Sequence, residues 1–134
     1  MRWNGDLAFE GRGAFGHTLI TDASREAGGK ESGFKPTELL LFGVAGCTGI
    51  DIVRILQKQR QKLRSLEIRV EGEQNEDYPK PFHTIRVHYV ARGDGLDPDK
   101  LAKAIGLSES KYCVVSQTLE QPSRVTTSFE ILPD

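Results

Sequence analysis

The chain has only two cysteines among its 134 residues, with no CxxC pair and no Cys/His grouping at zinc-ligand spacing. Two thiols in a reducing compartment are a poor basis for a permanent disulfide. Cys47 and Cys113 are therefore either two unrelated thiols or one redox couple. A surplus of charge is missing too: 18 Lys and Arg against 19 Asp and Glu leave a net charge of −1. That balance carries no basic footprint for nucleic acid. No uninterrupted apolar run reaches the roughly 20 residues that cross a bilayer, and the chain opens on the strand-like RWNGDLAFE rather than on a signal or transit peptide. The expectation is a cytoplasmic protein with no membrane partner. Repeats and low-complexity tracts are absent as well, and the length suits a single domain over residues 1–134.

What the chain does have is one dominant stretch, Pro36 to Lys62. From Leu39 to Cys47 no side chain is charged, and none but the thiol can hydrogen-bond. Such a run predicts a helix buried on all sides. Pro36 suits the first turn, where its missing N–H is no loss, and Glu38 lies near the positive helix end. Gly43, Gly46 and Gly49 each cost about 1 kcal/mol against alanine in a helix interior. Their spacing puts them on one narrow stripe, against which another backbone is expected to pack, either within the chain or from a second copy across a dimer axis. Cys47, Asp51, Arg54 and Lys58 share a face, so the cysteine heads a polar stripe.

Around this helix the chain reads β-β-α-β-β-α-α-β, a segregated α+β plan with an antiparallel sheet. Trp3–Glu10 and Phe15–Thr21 form a hairpin about Gly11-Arg12-Gly13, with Arg12 at its tip. The polar segment Asp22–Lys35 reads as a mobile surface loop. Ser65–Glu73 and Phe82–Arg92 alternate as half-buried strands, with Leu66, Ile68, Val70, Ile85, Val87 and Tyr89 inward. Asp97-Pro98 starts a short helix that Gly106 ends, and Ser108 caps a further helical segment carrying Cys113. Pro122 stops that segment, and Val125–Ile131 alternates as a final strand. The histidines His17, His83 and His88 show no ligand spacing.

Cys113 lies near a helix start, where unpaired N–H groups and the dipole favour a thiolate, with Lys111 adding positive charge. Cys47 lies inside its helix with Asp51 one turn away, and a carboxylate there disfavours the thiolate unless it is paired, with Arg54 as the candidate partner.

The run Pro36-Thr37-Glu38 leading through apolar residues to Gly46-Cys47, with Lys111-Tyr112-Cys113-Val114-Val115-Ser116 downstream, resembles the OsmC/Ohr family. These are the osmotically induced protein C and organic hydroperoxide resistance proteins, and the likeness is to a less characterised OsmC-like branch. Gly46, Thr48 and Val114 stand where well-known members carry alanine, an aromatic residue and proline. The resemblance implies an OsmC-like fold: an antiparallel sheet wrapped around a long buried central helix in an intertwined homodimer, with sites at the subunit interface.

For function it implies a cysteine-based thiol peroxidase reducing organic hydroperoxides. Cys47 is then the peroxidatic nucleophile and Cys113 the resolving thiol. Glu38 assists, and Arg12 of the N-terminal hairpin activates the thiolate. No bound cofactor or metal is implied; an external dithiol reductant of lipoyl type is. On a regular helix Glu38 and Cys47 point to opposite sides, so either the helix bends at Gly43 or Gly46, or Glu38 serves the other subunit. The alternatives are a non-catalytic OsmC-like dimer that binds an apolar ligand or senses redox state, and a structural dimer with two inert thiols.

Overall fold

The long helix forms where the sequence marks it. In the computed structural model, which describes residues 1–121 and 123–133, helix α1 runs Pro36–Lys58. The Glu38 carboxylate reaches back to accept the Lys35 N–H at 3.1 Å, satisfying a donor left free at the helix start. Every fourth residue of one face, Val44, Thr48, Ile52 and Leu56, is buried. Ile52 and Leu56 join Ala104 in the core, with Leu63, Leu66 and Tyr89 packed against them.

Burial on all sides does not hold within one chain. Phe42 and Ile50 are 58% and 56% exposed, and Gly46 faces open space, so no backbone of this chain packs on that part of the glycine stripe. The cause is width: the sheet beside α1 has two strands, and strands lie about 4.8 Å apart, enough to cover one helix face only. With a mean hydropathy of 1.9 over its most apolar window, α1 is long and apolar enough to cross a membrane by composition and length. Its packing, and the polar cluster built on Thr48 and Asp51, make it the core helix of a folded domain instead.

That two-stranded sheet is β4 (Lys62–Gln74) and β5 (Phe82–Asp94), antiparallel, with Ile68 opposite Tyr89 and Val70 opposite Val87. A separate three-stranded antiparallel sheet lies at the N-terminus: β1 (Arg2–Trp3), β2 (Phe9–Arg12) and β3 (Thr18–Thr21). The first expected strand is thus split. Asn4-Gly5-Asp6 turns the chain, with φ of 89° at Gly5 and 47° at Asp6, values that glycine and aspartate tolerate. Arg12 ends β2 opposite Thr18, and the hairpin turn lies just beyond it at Gly13–His17.

The segment after β3 is an ordered loop rather than a mobile one. The Asp22 carboxylate accepts the N–H groups of Ala23, Lys30 and Ser32 and the Ser32 hydroxyl. Phe34 returns to pair with Thr21 and meets Phe42 of α1 edge-on at 5.6 Å, which ties the N-terminal sheet to the helix. Gly33 is needed there, because a Cβ would run into the Ile20 carbonyl.

Asp97 caps helix α2 (Pro98–Leu107), accepting the Asp99 N–H at 2.9 Å. A π-helical turn, Ser108–Tyr112, follows and leads into α3 (Val114–Glu120). Pro122, the expected helix stop, lies outside the described residues. Val125–Ile131 is not a strand: it has no ladder partner among the described residues, and Val125 and Phe129 are 83% and 90% exposed. Alternation prepares a strand, but only a neighbouring edge makes one.

Candidate functional site

Where α1, the π-helical turn and α3 meet, ligating atoms of Cys47, Asp51 and Cys113 all lie within 4.8 Å of one another. Cys47 and Asp51 come from adjacent turns of α1. Cys113 comes from the break between helices: its N–H bonds back to the Ser108 carbonyl at 2.8 Å, closing the π turn, and its own backbone is extended. Cys113 is fully buried, and its sulfur accepts the Ser116 hydroxyl at 3.1 Å and the Ser116 N–H at 3.4 Å. The cysteine itself thus caps α3. Ser108, expected as a cap, is turned inward and fully buried instead.

Ser108 Oγ is 2.9 Å from Asp51 Oδ2 and 3.0 Å from Thr48 Oγ1, which is in turn 3.0 Å from the Tyr89 hydroxyl. An ionised carboxylate only accepts, and each hydroxyl has one proton to give. Ser108 therefore donates to Asp51, Thr48 to Ser108, and Tyr89 to Thr48. Burial pushes the Tyr89 hydroxyl pKa up, so it remains a donor. Ser108, not Arg54, holds Asp51; no ion pair joins Asp51 to a cation among the described residues.

Burial is also the largest influence on Cys47 and pushes its thiol above the ordinary 9.0; the neighbouring Cys113 adds to this, while the N–H groups of Val115 and Val114 oppose it. Beside the cluster, Ser116 and Tyr89 also line a cavity of about 370 Å³ whose wall mixes the apolar Val44, Phe82, Val87 and Leu119 with the polar His83, Glu109 and Glu120.

Of the four residues singled out from sequence, Cys47 and Cys113 are brought together and the other two are not. Glu38 lines a separate cleft with Phe42, Ala45 and Ile68, and α1 continues through Gly43 and Gly46 as one helix. Arg12 lies on the N-terminal sheet, and no hydrogen bond joins it to either cysteine among the described residues. Thr48, Ser108, Tyr89 and Ser116 were not expected in the site: the sequence marks Ser108 as a cap and Tyr89 as a core residue, and only the fold brings the four together.

A long helix laid on an antiparallel hairpin, with two free thiols meeting at its side, defines an α+β domain with a dithiol site. The chain belongs to the OsmC-like protein family, whose profile matches residues 28–128. It is 35% identical over 132 residues to Protein YhfA of Escherichia coli (strain K12), covering 98% of this chain and 96% of that protein. Its fold is similar to that of a structural-genomics structure with which it shares 33% identity, at a TM-score of 0.81 over 96% of this chain and 93% of the other. It is also similar to an organic hydroperoxide resistance protein OsmC from Legionella pneumophila, 20% identical, with a TM-score of 0.55 over 89% of this chain and 91% of that one.

Proposed function

We propose that the protein is a thiol-dependent peroxidase that reduces organic hydroperoxides. The observation that carries this reading is that Cys47 and Cys113, from distant stretches, meet within 4.8 Å of each other, with Cys113 bonded to Ser116 on the wall of a neighbouring cavity. The Cys47 thiolate attacks the outer peroxide oxygen, giving a sulfenic acid and, after protonation, the alcohol. Cys113 then displaces water from the sulfenic acid, and the disulfide forms. An external dithiol, of lipoyl type in this reading, returns both cysteines to thiols and leaves as its own disulfide. Such a cycle suits the reducing cytoplasm.

The raised Cys47 pKa means that a thiolate at neutral pH needs a positive charge, and among the described residues no cation of this chain acts on that thiol. A homodimer with intertwined sheets supplies one: the exposed Phe42–Gly46–Ile50 face of α1 and the unpaired Val125–Ile131 segment are the surfaces that a second copy covers. In that assembly Arg12 activates Cys47 across the interface, and Glu38 serves the cysteine of the other subunit.

The test is steady-state turnover of cumene hydroperoxide with dihydrolipoamide as reductant. Turnover that is abolished by Cys47→Ser and by Cys113→Ser supports the reading; a reduced protein that leaves the hydroperoxide unchanged overturns it. A second reading is a non-catalytic dimer that senses redox state or binds an apolar ligand; the raised Cys47 pKa bears against peroxidatic attack and so favours a non-catalytic role. Disulfide formation without turnover selects the sensor.

A further inference from the structure

Cys47, Cys113 and Asp51 present two sulfurs and a carboxylate oxygen to a common point, each within 4.8 Å of the others. We propose that in the reduced protein these three residues bind a zinc-class divalent cation. Donors around tetrahedral zinc lie roughly 3.5–4 Å apart, given bond lengths of about 2.3 Å to sulfur and about 2.0 Å to oxygen. The observed triangle, at most 4.8 Å on a side, exceeds that size by roughly 1 Å.

The donor set selects the metal: thiolates favour zinc and other borderline or soft cations over magnesium and calcium. Two of the three ligands are also oriented from behind, Asp51 by the Ser108 hydroxyl at 2.9 Å and Cys113 by the Ser116 hydroxyl at 3.1 Å, as the outer shell of a metal site requires. Three groups that can all be anionic converge here, and among the described residues no lysine or arginine of this chain is bonded to any of them. A divalent cation neutralises most of that charge. Cys47 is only partly buried, which leaves the fourth position open to water.

Sequence spacing hides the site, because two ligands come from one helix and the third from a distant turn. Binding requires both sulfurs as thiolates, so a proton held on either is released on binding. The dithiol and the disulfide therefore differ in affinity: linking Cys47 to Cys113 removes two of the three ligands. That redox clause rests on the proposed peroxide chemistry; metal binding by the reduced protein does not.

The experiment uses the full chain, reduced and stripped with chelator, titrated with Co²⁺ and Zn²⁺ alone. The expected result is one metal per chain, a sulfur-to-cobalt charge-transfer band in the near ultraviolet, and Zn²⁺ binding that releases protons and tightens as pH rises. Asp51→Asn weakens binding by at least about tenfold, and Cys113→Ser loses a large part of the charge-transfer band. Wild-type protein oxidised with diamide serves as a variant-free control and binds no metal. Absence of saturable binding by the reduced wild type, or equal binding by the diamide-oxidised form, overturns the proposal. Hydroperoxide consumption is scored separately, so a metal-free peroxidase and a peroxide-inert metal binder give different outcomes.

Discussion

Cys47 sits between opposing influences: burial and the neighbouring sulfur of Cys113 hold it as a thiol, while two backbone N–H groups favour the thiolate. If Arg12 tips the balance across a dimer, wild-type Cys47 titrates below 9.0 by its ultraviolet thiolate absorbance, and Arg12→Ala titrates above it. The variant then reacts slowly with hydroperoxide at neutral pH and recovers as pH rises, because its thiolate fraction grows only there. Unchanged titration in Arg12→Ala removes that residue from the site.

Asp22 shows the reverse sign. Its bonds from Ser32, Ala23 and Lys30 hold its pKa down to about 2 against an ordinary 3.8, so its contribution is complete above about pH 4 and is lost as pH falls towards 2. Hydrogen-exchange protection in residues 22–34, taken relative to the intrinsic rate at each pH, is expected to fall as pH drops through that window in wild type and to be low at all pH values in Asp22→Asn.

Ser108→Ala leaves Thr48 and Asp51 without a shared partner in a buried network and is expected to cost about 1–3 kcal/mol in denaturant unfolding. Asp51 was visible in the sequence as an anomaly beside a thiol. Its partner was not, since a serine next to a helix end looks like a cap until the fold turns it inward.

At the scale of elements, what the sequence made legible depended on where the partner lies. β4 and β5 alternate and have each other, so both formed as read, with Leu66 and Tyr89 packed on the core and Ile68, Val70, Ile85 and Val87 half-buried on the same faces. Val125–Ile131 alternates as cleanly and has no ladder partner among the described residues, because alternation specifies a face and not an edge. The apolar run of α1 signalled the helix but overstated its burial, because it is apolar on a face that one chain leaves open. The π turn before Cys113 has no sequence signature here, yet it carries that sulfur to Cys47.

Ile52, fully buried in the core, tests the covered face: Ile52→Ala is expected to cost about 2–5 kcal/mol. Gly46 tests the open one. With nothing within 4 Å of a Cβ built there, Gly46→Leu fits the single chain and favours its helix. Thermal unfolding of a monomer is then unharmed, while sedimentation shows the dimer weakened; a fully dimeric variant contradicts pairing through this face.

For the whole molecule, an N-terminal sheet joined to the body chiefly through Phe34 and Phe42, an open helix face and a solvent-exposed C-terminal segment are the features on which the proposed dimer rests. Light scattering is expected to give twice the 14.9 kDa chain mass. The central claim, however, concerns the two sulfurs. Treat the reduced protein with one equivalent of cumene hydroperoxide per chain, quench with a thiol-blocking reagent, and map the peptides without reduction. Cys47 joined to Cys113 within one chain, with one alcohol formed per disulfide, is the predicted result; both cysteines recovered blocked and unlinked would contradict it.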